Sequence, residues 1–129
     1  MLLNILTRYL DNIEHSILRV ENAYIEHYEE EIFGGNRANL RIRIRFSNGY
    51  LLELNEAVLV EKEEIQHLHY RYHFQDRDNN LIFRYDNTPH FPHPLSYPHH
   101  KHLAEQVVPT ENILIPGVIE EVLHFLEAK

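Results

Sequence analysis

From Arg84 to His102 the chain reads RYDNTPHFPHPLSYPHHKH. Five histidines (His90, His93, His99, His100 and His102) fall within thirteen residues, beside Arg84, Asp86 and Lys101. Imidazole titrates near neutral pH, so a cluster of this kind can hold or move protons. One chemistry it fits is cleavage of RNA by its own 2'-hydroxyl. That reaction needs a base for the hydroxyl proton and an acid for the departing 5'-oxygen, and two or three of His90, His99, His100 and His102 would supply both. Arg84 and Lys101 would meet the charge that builds on phosphorus, and Asp86 would fix the tautomer of one imidazole. No metal is required, and DNA, lacking the internal nucleophile, would be spared.

Two other readings compete. His90-x-x-His93 and His99-His100-x-His102, with Asp86, offer enough ligands for Zn²⁺ or Mn²⁺. Against this, the spacing matches no familiar zinc motif and Lys101 would repel a cation. The third reading is structural, with rings stacked on prolines and aromatics. It suits His93, which sits between Phe91 and Pro94, and Asn87 as a turn cap before Pro89. It suits His99, His100 and His102 poorly, because crowding them with a lysine raises the electrostatic cost of protonation.

Further candidates lie on strands. Arg41, Arg43 and Arg45 alternate with Leu40, Ile42, Ile44 and Phe46, and so share one face. They are either a solvated face paired with glutamates or a stripe that tracks phosphates. His67, His69, Arg71 and His73 alternate with Leu68, Tyr70, Tyr72 and Phe74 in the same way. Should the two stripes align, they form one platform beside the histidine segment, with Arg41, Arg43, Arg45, Arg71 and His73 as substrate contacts. Tyr70, Tyr72 and Tyr85 suit core or sheet-edge positions better than stacking on bases, although Tyr72 or Tyr85 could place a hydroxyl in the site and add a substrate contact. Glu53 and Glu56 are candidate acid–base helpers or ligands, although Glu53 also suits pairing with Arg43 or Arg45. The four glycines have no phosphate-loop context, which argues against ATP or dinucleotide use.

These residues need a scaffold. Leu2, Leu6, Tyr9, Leu10, Ile13 and Ile17 follow a helical period, giving a first helix over about residues 2–14. Ile17 to Tyr28 reads as helix or strand, with periodicity slightly favouring helix. Gly34-Gly35-Asn36 breaks the chain. Leu40–Phe46, a turn at Ser47-Asn48-Gly49, a return strand from Tyr50 that resumes at Ala57–Val60, then Leu68–Phe74 and Leu81–Tyr85, build an antiparallel sheet over about residues 17–86. Four prolines between Thr88 and Pro98 make 87–108 a loop rather than a ladder strand. Pro116 suits the first turn of a last helix, about 116–127, with Val118, Ile119, Val122, Leu123, Phe125 and Leu126 on its apolar side. The expected architecture is one two-layer α+β domain, an antiparallel sheet of four or five strands with an N-terminal and a C-terminal helix.

With 129 residues one core suffices. Cysteine is absent, which excludes disulfides, thiolate metal sites and a cysteine nucleophile and fits a reducing cytoplasm. Apolar runs are too short for a membrane span, and the apolar start is broken by Arg8 and Asp11, so it reads as helix rather than export signal. The net charge of -8 disfavours nucleic acid at first sight. The acid, however, sits in Glu26/Glu29–Glu31, Glu61/Glu63/Glu64 and Glu120/Glu121/Glu127, whereas 84–102 sets Arg84 and Lys101 against Asp86 alone.

The segment LIFRYDNTPHFPHPLSYPHHKH, Leu81 to His102, resembles the signature of the TumE-type toxins of prokaryotic toxin–antitoxin pairs. Arg84, Tyr85, Asp86, Asn87, Pro89 and His90 carry the resemblance, as do Pro98, His99, His100, Lys101 and His102; the preceding YRYHFQD, Tyr70 to Asp76, also looks like the family. The resemblance implies a strand rather than a helix for Ile17–Tyr28. It implies a toxin that acts inside its own cell, in the cytoplasm, held silent by a helix-turn-helix antitoxin whose basic surface suits the acidic body. RNA cleavage is the commonest activity of toxins this size, so the implied substrate is RNA and no cofactor is expected, with Zn or Mn as the alternative. A nucleotidyl-modifying enzyme and a non-enzymatic binding module remain open, as does a homodimer. The family often carries a second histidine after His90 where this chain has Phe91, which weakens a metal site there and leaves His99, His100 and His102 as the main candidates.

Overall fold

A computed structural model describes residues 2–88 and 98–128. The order is α1 (Leu2–Leu18), β1 (Ala23–Phe33), β2 (Arg37–Phe46), β3 (Leu51–Glu61), β4 (Glu64–Gln75), β5 (Leu81–Asp86), β6 (His100–His102), β7 (Val107–Pro109) and α2 (Ile115–Glu127). The strands form one antiparallel sheet of seven, each lying beside its chain neighbours. The α+β architecture with flanking helices matches expectation, but four or five strands is too few. The two extra strands, β6 and β7, are three residues long. Elements that short show no alternation to read, and both come from a stretch whose prolines argue for loop. Pro109 fits because β7 is an edge strand, where a missing donor costs nothing.

One sheet face carries the core. Leu40, Ile42, Ile44, Leu52, Leu54, Tyr72, Phe74 and Phe83 meet Leu6, Leu10, Ile13 and Ile17 of α1 and Ile115, Val118, Ile119 and Val122 of α2 in a single cluster. Each such side chain contributes roughly 1.5–3 kcal/mol on burial. The ambiguous stretch divides: α1 runs on to Leu18, and β1 begins at Ala23 after Asn22, whose φ is 59°.

A bulge sets which face several side chains take. In β4, Ala57 faces His69 but Val58 faces His67, so Leu68 is the extra residue. The slip turns His67 to the core face and leaves Leu68 43% exposed. The alternation expected for His67 and Leu68 therefore holds only from His69 onward.

Lys62 and Glu63, the two residues joining β3 to β4, have φ of 53° and 63°. Left-handed conformations at both central positions are what an Asn-Gly pair adopts with least strain. Lys62→Asn with Glu63→Gly is expected to stabilise the protein by about 1 kcal/mol, read as a higher urea midpoint at unchanged slope.

Candidate functional site

Register decides what lies beside what. Two rows run across the sheet on the face away from the helices. One passes through Arg41, Asn55, Arg71, Asp86 and His100, and the other through Arg43, Glu53, His73, Arg84 and His102. Side chains at paired positions share a face, so the arginine stripe of β2 and the Arg71/His73 stripe of β4 align with the histidines of β6.

At the end of these rows stands a compact polar group. Asp86 is 4% exposed and His100 6%. His102 Nε2 lies 3.1 Å from Asp86 Oδ2, and Arg84 Nε lies 3.5 Å from the same oxygen. The Thr88 amide donates to Asp86 Oδ1 at 3.3 Å. Buried Arg84 Nε, His100 Nδ1 and His73 Nδ1 have no hydrogen-bond partner among the described residues. Buried polar atoms are nearly always hydrogen-bonded, so these three nitrogens call for an explanation, even though Arg84 Nε stands within ion-pair distance of Asp86. Burial lowers the pKa of the half-buried His73 against the pull of Gln75, with the charges of Arg71 and Arg84 adding to the fall.

The neighbouring residues of β6 turn the other way. Lys101 Nζ donates to Glu121 Oε2 of α2 at 2.7 Å and sits over the rings of Phe83 and Tyr85. Its own burial would lower its pKa, but the Glu121 and Tyr85 contacts outweigh that and raise it. Tyr85 donates to Glu121 Oε1 at 2.5 Å. The Tyr70 hydroxyl and His99 Nδ1 are 2.7 Å apart, with the rings stacked. Burial lowers the pKa of His99, as do the charges of His67 and His100.

Deeper on this helix-facing side lies a second network. Glu56 has a fully buried side chain. Tyr9 of α1 donates to its Oε2 and Tyr72 to its Oε1, both at 2.5 Å, while His67 Nε2 stands 3.0 Å from Oε1. His67 Nδ1 lies 3.2 Å from Asn112 Oδ1. Burial and the neighbouring carboxylate raise the pKa of Tyr9 and of Tyr72, so both hydroxyls keep their protons as donors.

The expected site residues are therefore divided. Arg84, Asp86, His100 and His102 come together on the open face, with Arg71 and His73 adjoining. His99 and Lys101 lie on the helix side. Tyr72 is fully buried and Tyr85 nearly so, which leaves their rings no surface for a substrate. Arg43 is held by Glu26 and Glu53, and Arg45 by Glu26, as the paired-face alternative has it; Arg41 has no ion pair among the described residues. Asn87 accepts from the Tyr70 amide at 3.0 Å, tying the end of β5 to β4. His90 and His93 lie outside the described residues. Among the described residues, no three His, Asp or Glu side chains are placed to share a metal ion.

Sequence reasoning missed Tyr9 and Asn112 and did not join Glu56 to His67. One signal was present: Glu56 falls in phase with Leu52, Leu54, Val58 and Val60, so a carboxylate occupies a core position.

The depressed histidines give stability a pH dependence. Below about pH 6.5 the unfolded chain takes up protons that His73 and His99 refuse in the fold, so stability falls as pH drops through that value. The melting temperature is expected to decline from pH 7 to pH 5, and the decline to be shallower in a His73→Asn/His99→Asn variant.

A clustered set of buried His, Asp and Glu side chains is consistent with a catalytic site. No helix among the described residues is long and apolar enough to cross a membrane. No curated protein and no solved structure matches the chain. A family model described as Toxin TumE matches residues 13–129, which takes in the whole sheet, the polar group at its rim and α2. With nearly the full length matched, the chain belongs to the TumE toxin family.

Proposed function

We propose that this toxin is a metal-independent ribonuclease whose site is the open-face group of Asp86, His100, His102 and Arg84. The supporting observation is that the buried carboxylate of Asp86 stands 3.1 Å from His102 Nε2 and 3.5 Å from Arg84 Nε, with His100 its buried cross-strand neighbour whose Nδ1 has no hydrogen-bond partner among the described residues. Asp86 orients the imidazole of His102. One of His100 and His102 takes the proton from the 2'-hydroxyl as its oxygen bonds to phosphorus. The other returns a proton to the 5'-oxygen as the P–O5' bond breaks, leaving a 2',3'-cyclic phosphate and a 5'-hydroxyl. Arg84 meets the charge on the phosphoryl oxygens. Arg71, along the row from His100, guides the RNA backbone. The toxin acts in the cytoplasm of its own cell, and a basic helix-turn-helix antitoxin silences it, consistent with the net charge of -8.

The test is incubation of pure protein with total RNA, with and without EDTA, followed by end-group analysis. Cleavage in EDTA with cyclic phosphate ends is expected. Activity that appears only with added Zn²⁺ or Mn²⁺ would replace this reading with a metal-dependent one. RNA left intact under both conditions would favour a binding module.

A further inference from the structure

An open cavity of about 590 Å³ lies on the same sheet face, beside the proposed active site. That volume falls in the range of small-ligand sites. Glu29, Glu31, Asn39, Arg41, Asn55 and Arg71 are among its lining residues. Arg71 is the direct cross-strand neighbour of Asp86, and His100 is one strand further on. At about 5 Å per strand, Arg71 is roughly 10 Å from His100, within one or two nucleotides of the phosphate to be cut.

Glu29 and Arg41 are register partners on β1 and β2, directly opposite each other. Opposed charges at such positions ordinarily pair, and the neighbouring Arg43 does so with its register partner Glu53 at 2.8 Å. Arg41 makes no ion pair among the described residues, and Glu29 turns its Oε1 toward His27 at 3.3 Å instead. On the same face of β2, Asn39 has a buried side-chain oxygen with no hydrogen-bond partner among the described residues. An arginine, a carboxylate and an amide thus stand side by side at one cavity wall with hydrogen-bonding capacity unused.

The geometry points to a guanine-binding subsite. Guanine shows two acceptors, O6 and N7, which suit a bidentate guanidinium. Its N1–H and exocyclic amino group form a pair of donors that suits a carboxylate. Arg41 takes the first edge and Glu29 the second; Asn39 supports the base, and Arg71 meets the phosphate leading to His100. Uracil, with no amino group and no N7, matches neither. This rests on the ribonuclease reading for its biological meaning but makes a binding claim that stands apart from it.

The test is equilibrium binding of 5'-GMP and 5'-UMP to the full chain, followed by titration calorimetry. GMP is expected to bind about tenfold or more tighter than UMP, and the difference to vanish in Asn39→Ala and in Glu29→Gln. Equal binding of the two nucleotides overturns the subsite, as does a preference that survives both substitutions. Should Asn39→Ala fail to fold, Glu29→Gln at its more exposed position decides. Cleavage of RNA without a GMP preference would sink the subsite and leave the ribonuclease intact; GMP preference without cleavage would do the reverse.

Discussion

Glu56→Ala is expected to cost about 3–5 kcal/mol, the penalty for breaking a buried charged network by removing one member. That is a large share of the roughly 5–15 kcal/mol that holds a domain together. Glu56 accepts from Tyr9 and Tyr72, stands 3.0 Å from His67 Nε2, and has its side chain sealed from water. Truncation strands two hydroxyls and an imidazole in the core at once. Tyr9→Phe removes one donor to an acceptor that keeps others, so roughly 1–2 kcal/mol is expected. Because Tyr9 ties α1 to the sheet through Glu56 itself, the two effects should not add. A double-mutant cycle in urea, with the slope held constant, would measure the coupling. A cost for Glu56→Ala below that of Tyr9→Phe would mean the carboxylate is not the hub of this network.

The second large effect concerns chemistry. His100→Ala and His102→Ala are each expected to lower kcat for RNA cleavage by about 10²–10⁴, the range that positioned acid–base groups supply. Combining them should cost little more than the worse single change, as for groups acting as one unit. Asp86→Asn should lower kcat through His102, leave KM nearly unchanged and shift the pH profile, because the oxygen 3.1 Å from the ring would no longer carry a charge. Lys101→Met offers a contrast. Its ammonium faces Glu121 on the helix side, so stability should suffer more than turnover. Parental cleavage rates in both histidine variants would mean the site lies elsewhere.

Much of the scaffold is legible from residue types. Leu40 to Phe46 alternate with arginines because one side of β2 is core and the other open, and Gly49 marks the turn with a φ of 92°. The apolar side of α2 can be read from Val118, Ile119 and Val122. What escaped is non-local or very short. Three-residue strands carry no period, and the bulge at Leu68 is a register event between strands, invisible in either strand by itself. The site was legible as a composition, a run of histidines with Arg84 and Asp86. Its division is not, since neighbours in a strand point to opposite faces, and a strand of three residues leaves no period to read. That one fact sends His100 and His102 to Asp86 while sending Lys101 to Glu121 and His99 to Tyr70.

Because strand order equals chain order, the sheet is laid down in the direction of synthesis. A chain leaving the ribosome exposes β1 through β4 before β6, and these strands can pair ahead of it, since domains mature from the N-terminal end. Arg41 and Arg71 are in place early, whereas the row they belong to ends at His100, whose strand arrives after nearly four fifths of the residues have been joined. The part of the sheet that leaves the ribosome first therefore lacks the histidines of β6 until the last part of the chain follows.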